Sequence, residues 1–119
     1  DTRELARTLI ALDRAAEAID LMRETVGLRR GATPDDDISH GLDGNVLGMA
    51  LLRNGRVEDA ESVLLEAWSR LEPLQTAGAY RVETATLLVE LYETLHAADP
   101  EAGHDAAADP WRERAAAEE

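Results

Sequence analysis

The sequence contains no cysteine, no lysine and no phenylalanine, and its only aromatic residues are two tryptophans and two tyrosines. Without cysteine, the chain can form neither a disulfide framework nor a thiolate metal site. No apolar run approaches the roughly 20 residues that a membrane-spanning helix requires. The first residues also lack the basic-then-apolar pattern of a signal peptide. We therefore expect a cytoplasmic protein that uses no cofactor and no metal.

Acidic and basic residues are strongly unbalanced. The chain has 25 Asp and Glu residues against 12 arginines, which gives a net charge of −13 at pH 7. This charge repels nucleic-acid phosphates and anionic membrane surfaces, and no basic stripe in the sequence compensates for it. We therefore expect no nucleic acid and no membrane as a partner. A high net charge also keeps a protein soluble, so the acidity alone does not identify a function.

The abundant residues, Ala, Leu, Glu and Arg, are those that favour helices. Apolar residues recur at helical intervals, as they do at Leu87, Leu88, Leu91, Tyr92 and Leu95. Such spacing at i, i+3, i+4 and i+7 is typical of a helix with one buried stripe. β-Branched and aromatic residues are sparse, so strands lack their usual material. The sequence predicts an all-α fold.

Turn-forming residues divide the chain into helices. Asn54-Gly55 tolerates the left-handed conformation found after helices, and Pro73 cannot continue one. Asp109-Pro110 has the pattern of an N-cap followed by proline at the first helical position. Residues 98–109 are predicted to form a loose insertion, and 110–117 a short helix that caps the C-terminal end. The other predicted helices span 2–12, 15–30, 38–53, 57–71 and 76–97.

An internal repeat is the most informative feature of the sequence. An offset of 42 residues places 5–9 on 47–51 and Ala18 on Ala60, and a third, partial copy follows at an offset of 41. A fixed period of this kind indicates a stacked helical array, in which neighbouring helix pairs share one continuous core. The small residues Gly48 and Ala60 are predicted to meet where two adjacent antiparallel helices cross closely.

The middle copy contains Gly44-x-x-Leu47-Gly48-x-x-Leu51, followed by Ala60-x-x-x-Leu64 and then Pro73. This spacing resembles the tetratricopeptide repeat (TPR) pattern. The longer period, the segment 45–48 and the turn 54–61 are similar to those of the kinesin-light-chain subgroup of that family. The resemblance covers about 1–97 and implies antiparallel helix-turn-helix units, about two and a half of them, stacked as an α-solenoid. It also implies the C-terminal part of a larger bacterial array, of a type often linked to kinase domains.

The resemblance further implies a non-catalytic module for protein–protein interaction. In this family, the first helix of each pair lines a concave groove, which holds an extended peptide or a partner helix. The positions that match this groove are Arg3, Arg7 and Ile10 in the first copy, Asn45, Met49, Leu52 and Arg53 in the second, and Thr86, Glu90 and Glu93 in the third.

The side chains at these positions suit a peptide ligand. The amide of Asn45 can donate to and accept from a peptide backbone at the same time. Met49 offers adaptable apolar contact, although packing in the core explains it equally well. The arginines Arg3, Arg7 and Arg53 have the geometry to bind carboxylates. Exposed arginines and glutamates are also common on solvated helix faces that bind nothing.

Two further functions stay open. The chain is alternatively a structural spacer, or a homodimer formed through its exposed N-terminal helices within 1–30, because the open apolar end of an array invites pairing. An enzyme or metal protein would need several ligands that converge from rigid elements. The candidates His40, His96 and His104 lie in predicted loops or at helix ends, so we interpret them as solvated surface residues. Trp68 and Trp111 are expected to pack between helices.

Overall fold

A computed structural model describes residues 1–118 of the chain. Within this range the chain forms six α-helices and no strand, which confirms the all-α prediction. None of these helices is long and apolar enough to cross a membrane. The helices are α1 Thr2–Ala11, α2 Ala15–Ala32, α3 Asp37–Arg53, α4 Val57–Leu71, α5 Gly78–Ala98 and α6 His104–Ala117.

The first five helices begin and end within two residues of their predicted bounds. Local hydrogen bonds explain several of these ends. The Asp1 carboxylate accepts from the backbone N–H of Glu4 in a capping box, and the Asp36 carboxylate accepts from the backbone N–H of Ser39. Gly55 has a φ of 77°, so the predicted left-handed turn between α3 and α4 is also confirmed.

The start of the last helix differs from its prediction. Helix α6 begins at His104 rather than at residue 110, so residues 104–109 are helical and not part of a loose insertion. The residue before the helix, Gly103, has a φ of 85°, a left-handed conformation that glycine adopts without strain. Pro110 therefore lies inside the helix, although it cannot donate the hydrogen bond of a helical residue.

Contacts on both sides of Pro110 explain why the helix continues through it. The Arg112 guanidinium donates to the carboxylates of Asp109 at 2.8 Å and Asp105 at 3.0 Å, so it ties together residues before and after the proline. On the opposite side, Trp111 is buried against the rest of the core. Docking of this helix on α5 therefore outweighs the local preference for a start at proline.

Helix α3 lies at the centre of the molecule. Each helix packs against the next in sequence, and α3 also contacts both α1 and α5. Among the described residues, no backbone contact joins α2 to α4 or α4 to α6. The helices form the consecutive pairs α1–α2, α3–α4 and α5–α6, and the second helix of each pair contacts the next second helix through side chains. The odd-numbered helices are therefore packed more closely with one another than the even-numbered ones.

Glycines allow α3 and α4 to approach closely. A Cβ atom on Gly44 would lie 2.9 Å from the Cβ of Ala67, and one on Gly48 would lie 2.5 Å from the Cγ of Leu64. The predicted close approach at Gly48 is present, but its nearest neighbour is Leu64 rather than Ala60. The antiparallel register of these contacts carries Ala60, which is fully buried, about one turn beyond Gly48.

The two tryptophans connect α4 to α6. The rings of Trp68 and Trp111 form a T-shaped pair with centroids 5.1 Å apart and an interplanar angle of 86°. The guanidinium carbon of Arg114 lies 4.3 Å from the centroid of Trp111, within the range of a cation–π interaction. The prediction that both tryptophans pack between helices is confirmed, and this cluster joins α6 to α4.

Candidate interaction face

Asn45, the central residue of the predicted groove, is not accessible to a ligand. Its side chain has no exposed surface. The amide Nδ2 donates to the backbone carbonyl of Tyr80 at 3.1 Å, and Oδ1 accepts from the hydroxyl of Thr84 at 2.6 Å. The amide does bind a backbone carbonyl, as a peptide-binding residue would, but that carbonyl belongs to α5. Asn45 therefore connects α3 to α5 and is removed from the groove prediction.

The apolar groove positions are divided between core and surface. Leu52 is 7% exposed and belongs to the core cluster, so its assignment to the groove is also wrong. Met49 and Ile10 are half-buried and pack against the same cluster. Each presents part of its side chain to solvent, so the packing of Met49 in the core is observed and its contact with a ligand stays a prediction.

Arg3 is part of an ionic junction that the sequence did not reveal. The carboxylate of Asp43 is buried within α3, where an unpaired charge would be costly. Its two oxygens accept from Arg3 Nη1 at 2.9 Å and from Arg29 Nε at 2.5 Å. The junction joins α1, α2 and α3 through one carboxylate. Arg3 is therefore occupied with holding the first helix pair against the second.

Two exposed ion pairs span the odd-numbered helices. The guanidinium of Arg7 in α1 donates through both Nη atoms to the Glu83 carboxylate of α5, each at 3.0 Å. Arg53 of α3 donates to Glu90 of α5 at 2.6 Å. The side chains of all four residues are between 30% and 44% exposed. The sequence identified Arg7, Arg53 and Glu90 but not Glu83, whose partner lies 76 residues earlier in the chain.

Two predicted residues of α5 are exposed. Thr86 lies between Glu83 and Glu90 in a spacing that puts the three residues on one side of a helix. Glu93 is also exposed, but its carboxylate lies 4.0 Å from Arg112 of α6, toward the end of the molecule. We define the interaction face as the surface residues that the structure brings together on α1, α3 and α5. They are Arg7, Met49, Arg53, Glu83, Thr86 and Glu90.

Among the described residues, the histidines do not form a metal-binding cluster. His40 is buried rather than solvated, which corrects the sequence interpretation, and its Nε2 lies 3.0 Å from the backbone carbonyl of Thr33. The Nδ1 atom of His96 is buried and has no hydrogen-bond partner within residues 1–118. Across residues 1–118, no three His, Asp or Glu side chains are grouped as a metal ion would require.

Comparison with known proteins adds no relative. No protein-family model matches the sequence. No curated protein and no solved structure is significantly similar to it. The resemblance to the tetratricopeptide family therefore depends on the spacing of the sequence motifs, and its consequences for function are proposals.

Proposed function

We propose that this chain is a non-catalytic protein-interaction module of three stacked, TPR-like helix pairs, which binds a peptide or a partner helix on the interaction face. The central position of α3, in contact with both α1 and α5, carries this proposal. In a solenoid of helix pairs, the first helices form one layer and the second helices spread apart on the other side. The contact pattern of the six helices has this asymmetry.

The charged residues of the interaction face can leave their ion pairs and bind charged groups of a ligand instead. Exposed ion pairs such as Arg7–Glu83 and Arg53–Glu90 each contribute only about 0–1 kcal/mol to stability, because solvent screens them. A ligand carboxylate can therefore replace a glutamate on either guanidinium, and bidentate geometry makes such contacts selective. A ligand cation can in turn bind the glutamate that is released.

Neutral groups complete the same surface. The exposed hydroxyl of Thr86 can donate to or accept from a peptide backbone, which is the role that the sequence assigned to Asn45. Met49 supplies a partly exposed thioether side chain that adapts to different apolar partners. A segment with charged side chains of both signs around an apolar residue has the chemistry that this face recognises.

Selection from a library of random peptides tests the proposal directly. We expect selected peptides to bind the purified chain in calorimetry and to perturb the NMR signals of Met49, Arg53 and Thr86. The variant Thr86→Arg places a large charged side chain on the face and is expected to weaken binding at least about tenfold, a loss of about 1.4 kcal/mol. Ser62→Arg, at an exposed position of α4, is the matched control and is expected to bind as the wild type does. Selected peptides that respond to Ser62→Arg and not to Thr86→Arg would overturn the assignment of the face, and so would a library that yields no binder.

A further inference from the structure

The tryptophan pair that joins α4 to α6 also holds a positive charge. The guanidinium carbon of Arg114 lies 4.3 Å from the ring centroid of Trp111 and 5.4 Å from that of Trp68. Both distances are within the roughly 6 Å over which a cation is attracted to an aromatic ring. The two rings are nearly perpendicular, so they form a corner around a single cation. We call Trp68 and Trp111 the aromatic corner.

Ion pairing does not explain the position of Arg114. Ten of the twelve arginines form ion pairs within residues 1–118. Among the described residues, Arg114 and Arg23 have no such partner. The contacts observed for the Arg114 guanidinium are those with the two indole rings. The aromatic corner therefore attracts a cation through the rings themselves.

The surroundings of the aromatic corner also favour a cation. The indole Nε1 of Trp68 donates to the carboxylate of Glu72 at 3.0 Å, so a negative charge lies at the edge of one ring. The same hydrogen bond holds that ring in a fixed orientation. The net charge of −13 adds a field that attracts cations from solution and repels anions. A ligand of this site would therefore carry a positive charge.

Arg114 is held loosely enough for a ligand to replace it. Its side chain is exposed and that of Trp68 is half-buried, so solvent reaches both. An exposed cation–π contact changes an equilibrium constant by a factor of only about two to five. The guanidinium can turn into water, where it is hydrated, and uncover the rings. The corner then offers two aromatic surfaces to another cation.

We propose that the aromatic corner binds a methylated ammonium group, which displaces Arg114. Aromatic sites recognise this class of ligand, because its methyl groups carry a positive charge into close contact with the rings. The ammonium of unmodified lysine is strongly hydrated and suits such a site less well. The methylated group belongs to a small molecule such as choline or to a methylated lysine side chain. The corner lies on α4 and α6, whereas the interaction face lies on α1, α3 and α5, so the two proposals are independent.

Intrinsic fluorescence tests this site, because Trp68 and Trp111 are the only tryptophans of the chain. Choline is expected to change the tryptophan emission saturably, whereas sodium chloride at the same concentration is not. The neutral tert-butyl analogue of choline, in which carbon replaces the charged nitrogen, has nearly the same shape and is expected not to bind. A short peptide with one trimethyllysine is titrated in parallel. The tighter binder of choline and the peptide identifies the source of the methylated group.

Substitution of Arg114 tests whether its guanidinium competes with the ligand. Arg114→Ala is expected to bind choline about two- to fivefold more tightly than the wild type does. Arg23→Ala is the matched control, because it removes the same charge from an exposed position on α2, and it is expected to leave binding unchanged. Trp68→Leu keeps an apolar side chain but removes one ring, and it is expected to weaken binding at least about threefold.

Circular dichroism checks that every variant stays folded. The absence of a saturable response to choline and to the peptide, in both the wild type and Arg114→Ala, would overturn the site and leave the peptide-binding proposal intact. Equal binding of the neutral analogue would also overturn it, because the rings would then recognise apolar shape and not charge. Equal tightening by Arg23→Ala and Arg114→Ala would contradict the competition. If Trp68→Leu does not fold, choline and its neutral analogue provide the same test in the wild-type protein.

Discussion

Replacement of Gly48 by alanine tests whether α3 and α4 approach as closely as the structure indicates. The added Cβ would lie 2.5 Å from the Cγ of Leu64, whereas carbon atoms in ordinary contact are about 3.5–4.0 Å apart. Leu64 is fully buried, so its side chain cannot swing into solvent. The substitution therefore forces about 1 Å of movement in a packed core.

Two opposing effects set the size of the change. Overpacking of a core costs about 1–3 kcal/mol. Alanine has a higher helix propensity than glycine, which offsets about 1 kcal/mol of that cost. We expect Gly48→Ala to lower the free energy of unfolding by about 1 kcal/mol. Gly27 is the matched control, because an added Cβ there would meet no described atom within 4 Å apart from its chain neighbours and the nearby backbone of α2 itself. Gly27→Ala is expected to raise the free energy of unfolding by about 0.5–1 kcal/mol.

Urea denaturation followed by circular dichroism measures both variants, and a double-mutant cycle identifies the cause. Leu64→Ala alone is expected to cost about 2–5 kcal/mol because it leaves a cavity. In that background the clashing atoms are gone, so Gly48→Ala is expected to become neutral or stabilising. If Gly48→Ala stabilises the wild-type protein as much as Gly27→Ala does, the close approach of the two helices is refuted.

Three further substitutions test the contacts of α5. Asn45→Ala removes two buried hydrogen bonds between α3 and α5 and is expected to lower the free energy of unfolding by about 1–3 kcal/mol, measured by urea denaturation. Burial raises the pKa of Tyr92 above its ordinary value of 10.0, and the hydrogen bond that its hydroxyl donates to Glu61 raises this pKa further. The neutral Tyr92 side chain contributes its full stabilisation of the fold below pH 10.0, the ordinary pKa. This contribution is lost as the pH rises through the higher folded pKa, because the tyrosine of the unfolded chain ionises first. Tyr92→Phe is expected to flatten that alkaline loss, and an unchanged pH profile would contradict the account. The hydrogen bonds from Arg81 lower the pKa of Glu118 below its ordinary value of 4.5, so their contribution is present above that pH and lost as the pH falls through the folded pKa. Glu118→Gln is expected to reduce the loss of stability in acid, and acid titrations of the two proteins measure the difference.

The helices were predictable because their signals are local. The glycine and proline punctuation lies within a few residues of each helix end, and the apolar stripes repeat inside each helix. Helix α6 was misread because the signal at Pro110 is local while the contacts that override it are not. The side chain of Arg112 spans the proline, and Trp111 docks on α4, more than 40 residues earlier in the sequence.

The charge pattern of helix α3 indicated that Asn45 is buried, but the resemblance to the repeat motif favoured an exposed groove position instead. Between residues 38 and 52, helix α3 has a single charged side chain, that of Asp43. A helix without a charged stripe is packed on several sides, so its polar side chains need partners inside the protein. The identity of those partners depends on how the helix pairs stack. Neither the arginines around Asp43 nor the Thr84 hydroxyl at Asn45 could be assigned from local sequence.

The ion pairs of the interaction face were beyond sequence reasoning for the same reason. Arg7 and Glu83 lie in different copies of the repeat, with a complete helix pair between them along the chain. Nothing in the local sequence distinguishes their charges from those of solvated residues. Their pairing also changes the proposed function, because a ligand of the proposed kind would have to exchange with these ion pairs and would not meet free arginines.

Cross-linking between α1 and α5 tests most directly whether these helices flank α3 on one shared face. The chain has no cysteine, so Arg7→Cys with Glu83→Cys introduces the only two thiols. A short bis-maleimide is expected to link them within one monomer, because the wild-type side chains at these positions are in direct contact. Arg7→Cys with Glu113→Cys, on α6, is the control pair and is expected to stay unlinked, since α6 has no backbone contact with α1. Efficient linkage of the control pair, or no linkage between positions 7 and 83, would contradict the arrangement on which the interaction face depends.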